Sequence, residues 1–137
     1  MKKFIAINIL IFSIWGCKKP PGPGGNSSIK GKVTLYLYDP STNTFSKKYP
    51  AADVDVYIIY GNELSYGDRI RTDYEGDFEF KYLRKGDYTI YVYSVDTVVY
   101  KGPPANPKAP KIPITKTITI SKKKQTVDAG DFVIYDD

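Results

Sequence analysis

Histidine is absent from the 137 residues, and cysteine occurs once, at position 17. Without an imidazole there is no general base for a Ser-His-Asp or Cys-His nucleophile, and the usual zinc ligand sets cannot be assembled. One thiol cannot close an intrachain disulfide, so cysteine usage gives no view of the redox compartment. The longest apolar run, Phe4 to Trp15, has twelve residues and is broken by Asn8 and Ser13. That is short of the roughly 20 residues that span a bilayer. No stretch shows helical spacing of apolar residues. Acidic residues are missing between positions 97 and 127, which hold seven lysines, whereas positions 52–96 hold ten acids and five bases. No metal and no cofactor is expected from this inventory, and the chain is read as a non-enzyme.

What is present begins with a basic start, Met1-Lys2-Lys3, then the apolar run, then Gly16-Cys17. This is the layout of a secretory signal: positive n-region, apolar h-region, small residue at the cut. Ile14-Trp15-Gly16-Cys17 resembles the signal of a bacterial lipoprotein of the Bacteroidetes type. The resemblance implies removal of residues 1–16, lipidation of Cys17 and firm attachment to the outer membrane, since such proteins carry more than one acyl chain. Surface-exported members of that group tend to carry acids after the cysteine. Lys18-Lys19-Pro20 follows here, which places the expectation on the periplasmic face. Loss of residues 1–16 leaves 121 residues and lowers the formal charge from +5 to +3, while all thirteen tyrosines stay. That length suits one domain with one core. An exported protein is not expected to meet nucleic acid, despite its excess of basic residues.

Residues 17–28 read as the lipidated cysteine and a linker. Three prolines and three glycines between Lys18 and Ser28 argue against regular structure, and a stretched linker of that length would reach roughly 30 Å at about 3.1 Å per residue. From Ile29 onward the pattern has period two. Ile29, Gly31, Val33 and Leu35 alternate with polar residues and tyrosines, as do Val54, Val56 and Ile58, then Phe78 and Phe80, and then Tyr88, Ile90 and Val92. With a short strand at 69–72, one at 114–120 and one at 132–134, this predicts seven strands and a single antiparallel β-sandwich over 29–137, without helix. Residues 101–113 carry five prolines and read as a long, stiff loop.

Thr72-Asp73-x-x-Gly76-x-Phe78-x-Phe80-x-x-Leu83-x-x-Gly86-x-Tyr88-x-Ile90-x-Val92 is a turn–strand–turn–strand unit in which each named residue has a structural task. These residues, with Gly31-Lys32-Val33 and Ala52-Asp53-Val54-Asp55-Val56, resemble the carboxypeptidase regulatory-like domain. That family implies a transthyretin-like sandwich for residues 29–137 and supplies no catalytic residue. Asp73-x-Glu75-Gly76-Asp77 lacks the distal glutamate of a calcium loop and reads as a β-turn.

Two sets of residues are candidates for binding. Tyr36, Tyr38, Tyr57, Tyr91 and Tyr93 fall opposite the apolar positions of their strands, where side-by-side rings would make a platform for a glycan or a peptide. Lys116, Lys122, Lys123 and Lys124 lie in the acid-free stretch and are candidates to face an anion. The expected partners are the membrane, through the lipid on Cys17, and an envelope protein or glycan. The competing reading is a structural spacer without a ligand.

Overall fold

A computed structural model describes residues 18–100 and 109–137; Cys17 and most of the proline-rich stretch lie outside them. The described residues form eight strands and no helix. They are β1 (Pro23–Asp39), β2 (Thr44–Pro50), β3 (Asp55–Tyr60), β4 (Asp68–Arg71), β5 (Asp77–Leu83), β6 (Gly86–Val95), β7 (Lys111–Ile120) and β8 (Thr126–Asp136). The all-β sandwich expected from the period-two pattern is what forms.

Two four-stranded sheets make up the sandwich. In the first, β1 is central. β8 runs along one edge of it from Ser28 to Leu37, parallel to it, so the sheet is not purely antiparallel. β5 and β2 share the other edge, against Pro23–Lys32 and Thr34–Asp39 respectively. The second sheet has the order β4-β3-β6-β7, antiparallel throughout. Ile29, Val33, Phe78, Phe80, Phe132 and Ile134 from the first sheet meet Val56, Ile58, Ile90, Val92 and Ile120 from the second, all nearly free of solvent. Burial of these side chains contributes roughly 1.5–3 kcal/mol for each large one.

Three sequence expectations are corrected. The eighth strand is β2, whose segment TFSKKYP carries two lysines and a terminal proline. It is exposed along nearly all its length, as an edge strand can be, and so lacks the alternation that marks a half-buried one. The linker is shorter than expected, because Pro23–Ser28 form the start of β1, with Ser27 and Ser28 buried. The glycines there serve close approach: a Cβ on Gly25 would lie 2.0 Å from the Leu83 carbonyl oxygen. The end of the proline-rich stretch, Lys111 to Pro113, belongs to β7, where Pro113 pairs with Tyr93 on a sheet edge that tolerates a missing N–H.

The Thr72–Val92 unit folds as its residue types dictate. The Thr72 hydroxyl accepts from the Val54 amide at 2.9 Å and donates to the Ala51 carbonyl. The Asp73 carboxylate accepts the amides of Glu75 and Asp77 at 2.9 Å each, and Gly76 takes φ +79°. The acid is occupied in holding a β-turn.

Candidate functional site

Alternation along β3 and β6 sends Val56, Ile58, Ile90 and Val92 inward, and therefore sends Tyr57, Tyr91 and Tyr93 to the outer face of the second sheet. Tyr57 and Tyr91 are opposite each other in the β3–β6 register. Their rings stack at 4.9 Å with 6° between planes. Tyr93 stands edge-on to both, at 5.6 Å from Tyr57 and 5.7 Å from Tyr91. A fourth ring, Tyr66 of the β3–β4 loop, meets Tyr57 edge-on at 5.0 Å. Edge-on and stacked pairs of this spacing are each favourable by about 0.5–1.5 kcal/mol.

The platform is open. Tyr66 and Tyr93 are 49% and 44% exposed, while Tyr57 and Tyr91 are half-covered by their neighbours. Burial first, and then the neighbouring Tyr93, pushes the Tyr91 phenol above its ordinary value. The register sets Arg69, Tyr57, Tyr91 and Thr115 in one row across the sheet, with exposed Thr117 beside it. Arg71 pairs with Asp53 at 3.3 Å and with Asp55 at 3.2 Å on the β4 side, and Arg69 reaches Asp55 at 3.9 Å. The tyrosine cluster is thus bordered by threonine hydroxyls on one side and a charged ladder on the other.

Tyr36 and Tyr38 do not join this group. They lie on the outer face of the other sheet. Tyr36 meets Tyr135 at 5.8 Å, and Tyr38 meets Phe45 and Tyr100 at 5.5 Å each. Tyr100, 4% exposed, closes over this second cluster from the turn after β6. The single five-tyrosine surface of the sequence reading is therefore two separate clusters on opposite faces. Tyr66 had no strand alternation to betray it, and only a loop tyrosine between Ser65 and Gly67 signalled it.

The lysines separate as well. Lys116 is not free to face an anion: its ammonium donates to the carbonyls of Ala129 at 3.0 Å and Asp131 at 2.7 Å, and sits 4.7 Å from the centre of the Phe132 ring. It ties β7 to β8. Lys122, Lys123 and Lys124 occupy the exposed β7–β8 turn, where the Lys122 carbonyl accepts from the Ser27 hydroxyl and the Lys124 amide donates to the Asn26 side chain. No cluster of metal-ligating side chains occurs among the described residues.

The geometry defines an all-β sandwich with an exposed tyrosine platform. The chain matches no protein-family model and no curated protein. Among solved structures it is similar to a candidate carbohydrate-binding protein from Pseudomonas aeruginosa, at 17% identity and a TM-score of 0.45, covering 84% of this chain and 91% of that one. It is similar to an (S)-allantoin synthase at 13% identity and 0.41, covering 80% of this chain and 42% of the enzyme. A 9R-lipoxygenase from Cyanothece gives 16% and 0.38, over 81% of this chain and 16% of that one. None is near enough in sequence to carry a residue's role across.

Proposed function

We propose that the protein is a non-enzymatic binding module, held to the outer membrane by a lipid on Cys17, whose Tyr57–Tyr66–Tyr91–Tyr93 platform takes a glycan. The observation that carries the reading is the four-tyrosine cluster, in which the solvent-open rings of Tyr66 and Tyr93 stand beside a stacked Tyr57–Tyr91 pair that supports them. Sugar rings present C–H faces that pack on aromatic faces, and their hydroxyls need polar partners at the border, a role open to Thr115, Thr117 and Arg69. The absence of histidine and of a usable thiol supports a binding role over a catalytic one. The resemblance to the carboxypeptidase regulatory-like domain, which supplies no catalytic residue, points the same way.

Glycan arrays followed by titration calorimetry test the platform. A bound glycan should lose at least about tenfold in affinity with Tyr93→Ala, close to 1.4 kcal/mol, and be indifferent to Tyr36→Ala on the opposite face. No ligand on the arrays, or equal effects of the two substitutions, would leave the spacer reading in possession. The anchor is tested separately: Cys17→Ala should move the protein from the membrane fraction to the soluble one.

A further inference from the structure

We propose that the groove at the chain-entry end of the sandwich is a binding site for a phosphate group, presented by an anionic lipid head group or by a soluble phosphate ester. Three segments far apart in sequence build it: the residues leading into β1, the β5–β6 turn and the β7–β8 turn. Lys18, Lys19, Arg84, Lys85 and Lys123 line a space of about 830 Å³. The only carboxylate among the lining residues is Asp87, whose Oδ1 already accepts the Thr119 hydroxyl at 2.7 Å. None of the five cations forms an ion pair with a described residue, although six such pairs exist elsewhere.

Arg84 is the specific feature. Its Nε is buried and has no hydrogen-bond partner among the described residues. An unmet donor on a charged group is costly, and gathering like charges adds to the cost, so the fold gains nothing from this arrangement by itself. An oxyanion would satisfy both, since a guanidinium matches phosphate geometry with two parallel donors. Gly24, whose φ of +107° favours glycine in any case, leaves room beside that side chain: a Cβ there would stand 2.7 Å from Arg84 Nη2 and displace the guanidinium.

Position suggests the source of the phosphate. Lys18 follows Cys17 in the sequence, and the tyrosine platform lies toward the other end of β3 and β6. On the anchored reading proposed above, the groove sits at the bilayer surface, where each basic residue near anionic lipid gives about 1 kcal/mol, roughly a fivefold gain in partition.

The test uses the chain from residue 17 onward with Cys17→Ser, so that neither an acyl chain nor the apolar run at residues 4–15 contributes, and vesicles of phosphatidylcholine with or without phosphatidylglycerol as the anionic lipid. Cosedimentation should rise on adding phosphatidylglycerol and fall about fivefold with Arg84→Gln. The exposed pair Lys85→Gln with Lys123→Gln should lower it further still, a check should Arg84→Gln impair folding. Lys48→Gln, the same charge loss on β2, should change it little. A parallel titration with glycerol phosphate, followed by NMR shifts of the Arg84 and Lys85 amides, assigns a soluble source if it saturates without any vesicle preference. Binding in neither arm, or an equal response to Lys48→Gln and Arg84→Gln, overturns the site. Loss of the anchor reading would leave these results untouched, because the chain tested carries no lipid.

Discussion

The backbone amide of Gly22 donates to the hydroxyl of Tyr88 at 2.9 Å, joining residues 66 apart in sequence. The same hydroxyl lies 2.6 Å from the Arg84 carbonyl, and the Arg84 amide donates back to the Gly22 carbonyl at 2.9 Å. Tyr88 is fully buried and points into the sandwich from β6, so it fixes the incoming chain to the core. Only Lys18, Lys19, Pro20 and Pro21 then separate Cys17 from this latch. At about 3.1 Å per residue they reach roughly 12 Å, far less than the linker read from composition. An anchored domain would sit against the membrane with little room to swing.

Tyr88→Phe keeps the ring and removes the latch. The buried Gly22 amide would lose its acceptor and the Arg84 carbonyl its hydroxyl donor, which should cost about 1–3 kcal/mol. Denaturant titration measures the loss, and hydrogen exchange should show residues 22–28 opening ahead of the rest. A change under about 0.5 kcal/mol, within the range of neutral surface substitutions, would mean that the latch is not used.

Gly25→Ala separates packing from flexibility in the glycine-rich entry. In a true linker the substitution would be neutral, or slightly stabilising through a stiffer unfolded chain. Here the new methyl meets the Leu83 carbonyl oxygen at 2.0 Å, so the β1–β5 pairing must shift. Overpacking of this kind costs about 1–3 kcal/mol, and thermal unfolding of the pure variant would reveal it.

The sandwich was legible because its core is written in alternation, from Val56 and Ile58 through Phe78 and Phe80 to Ile90 and Val92. What was not legible depended on partners distant in sequence. Pro23-Gly24-Gly25 has a linker's composition, and it is the backbone of Gly24 at φ +107° and the Leu83 carbonyl beside Gly25 that explain why glycine stands there. Tyr88 could be placed in the core by its register, but not its hydroxyl bonds to Gly22 and Arg84. Tyr36 and Tyr57 share the same outward parity in their strands, yet parity does not say that β1 and β3 belong to different sheets. Lys116 was readable in hindsight: it occupies an inward position between Ile114 and Ile118, where a free ammonium cannot remain unsatisfied.

Lys116→Met tests that position. It preserves an unbranched apolar stem while removing two charge-assisted bonds to the Ala129 and Asp131 carbonyls and the contact with the Phe132 ring. Hydrogen bonds from a charged group contribute about 1.5–3 kcal/mol, so a loss of that order is expected. Lys124→Met in the exposed turn should fall within about 0.5 kcal/mol of the parent. Equal stability of the two variants would show that Lys116 does not tie β7 to β8.

Alkaline pH provides a test that reads several tyrosines together. Tyr60, Tyr88, Tyr91 and Tyr100 all have phenols pushed above their ordinary value, with burial the leading cause in each. Burial disfavours the phenolate, so the folded state keeps these protons at a pH where the unfolded chain, with tyrosine near 10, gives them up. A raised folded value contributes stability that is complete below the unfolded value and is lost as pH rises through the folded one. Stability should therefore be flat from neutrality to about pH 9 and decline above about pH 10. Denaturant midpoints taken along that range, with phenolate absorbance recorded in parallel, should show part of the tyrosine titration arriving together with unfolding. Tyr88→Phe removes one of the four groups and should make the decline shallower, although it lowers stability at neutral pH. A parent chain whose tyrosines all titrate near 10 while it stays folded would contradict the burial of Tyr88 and Tyr100 on which both the latch and the second aromatic cluster rest.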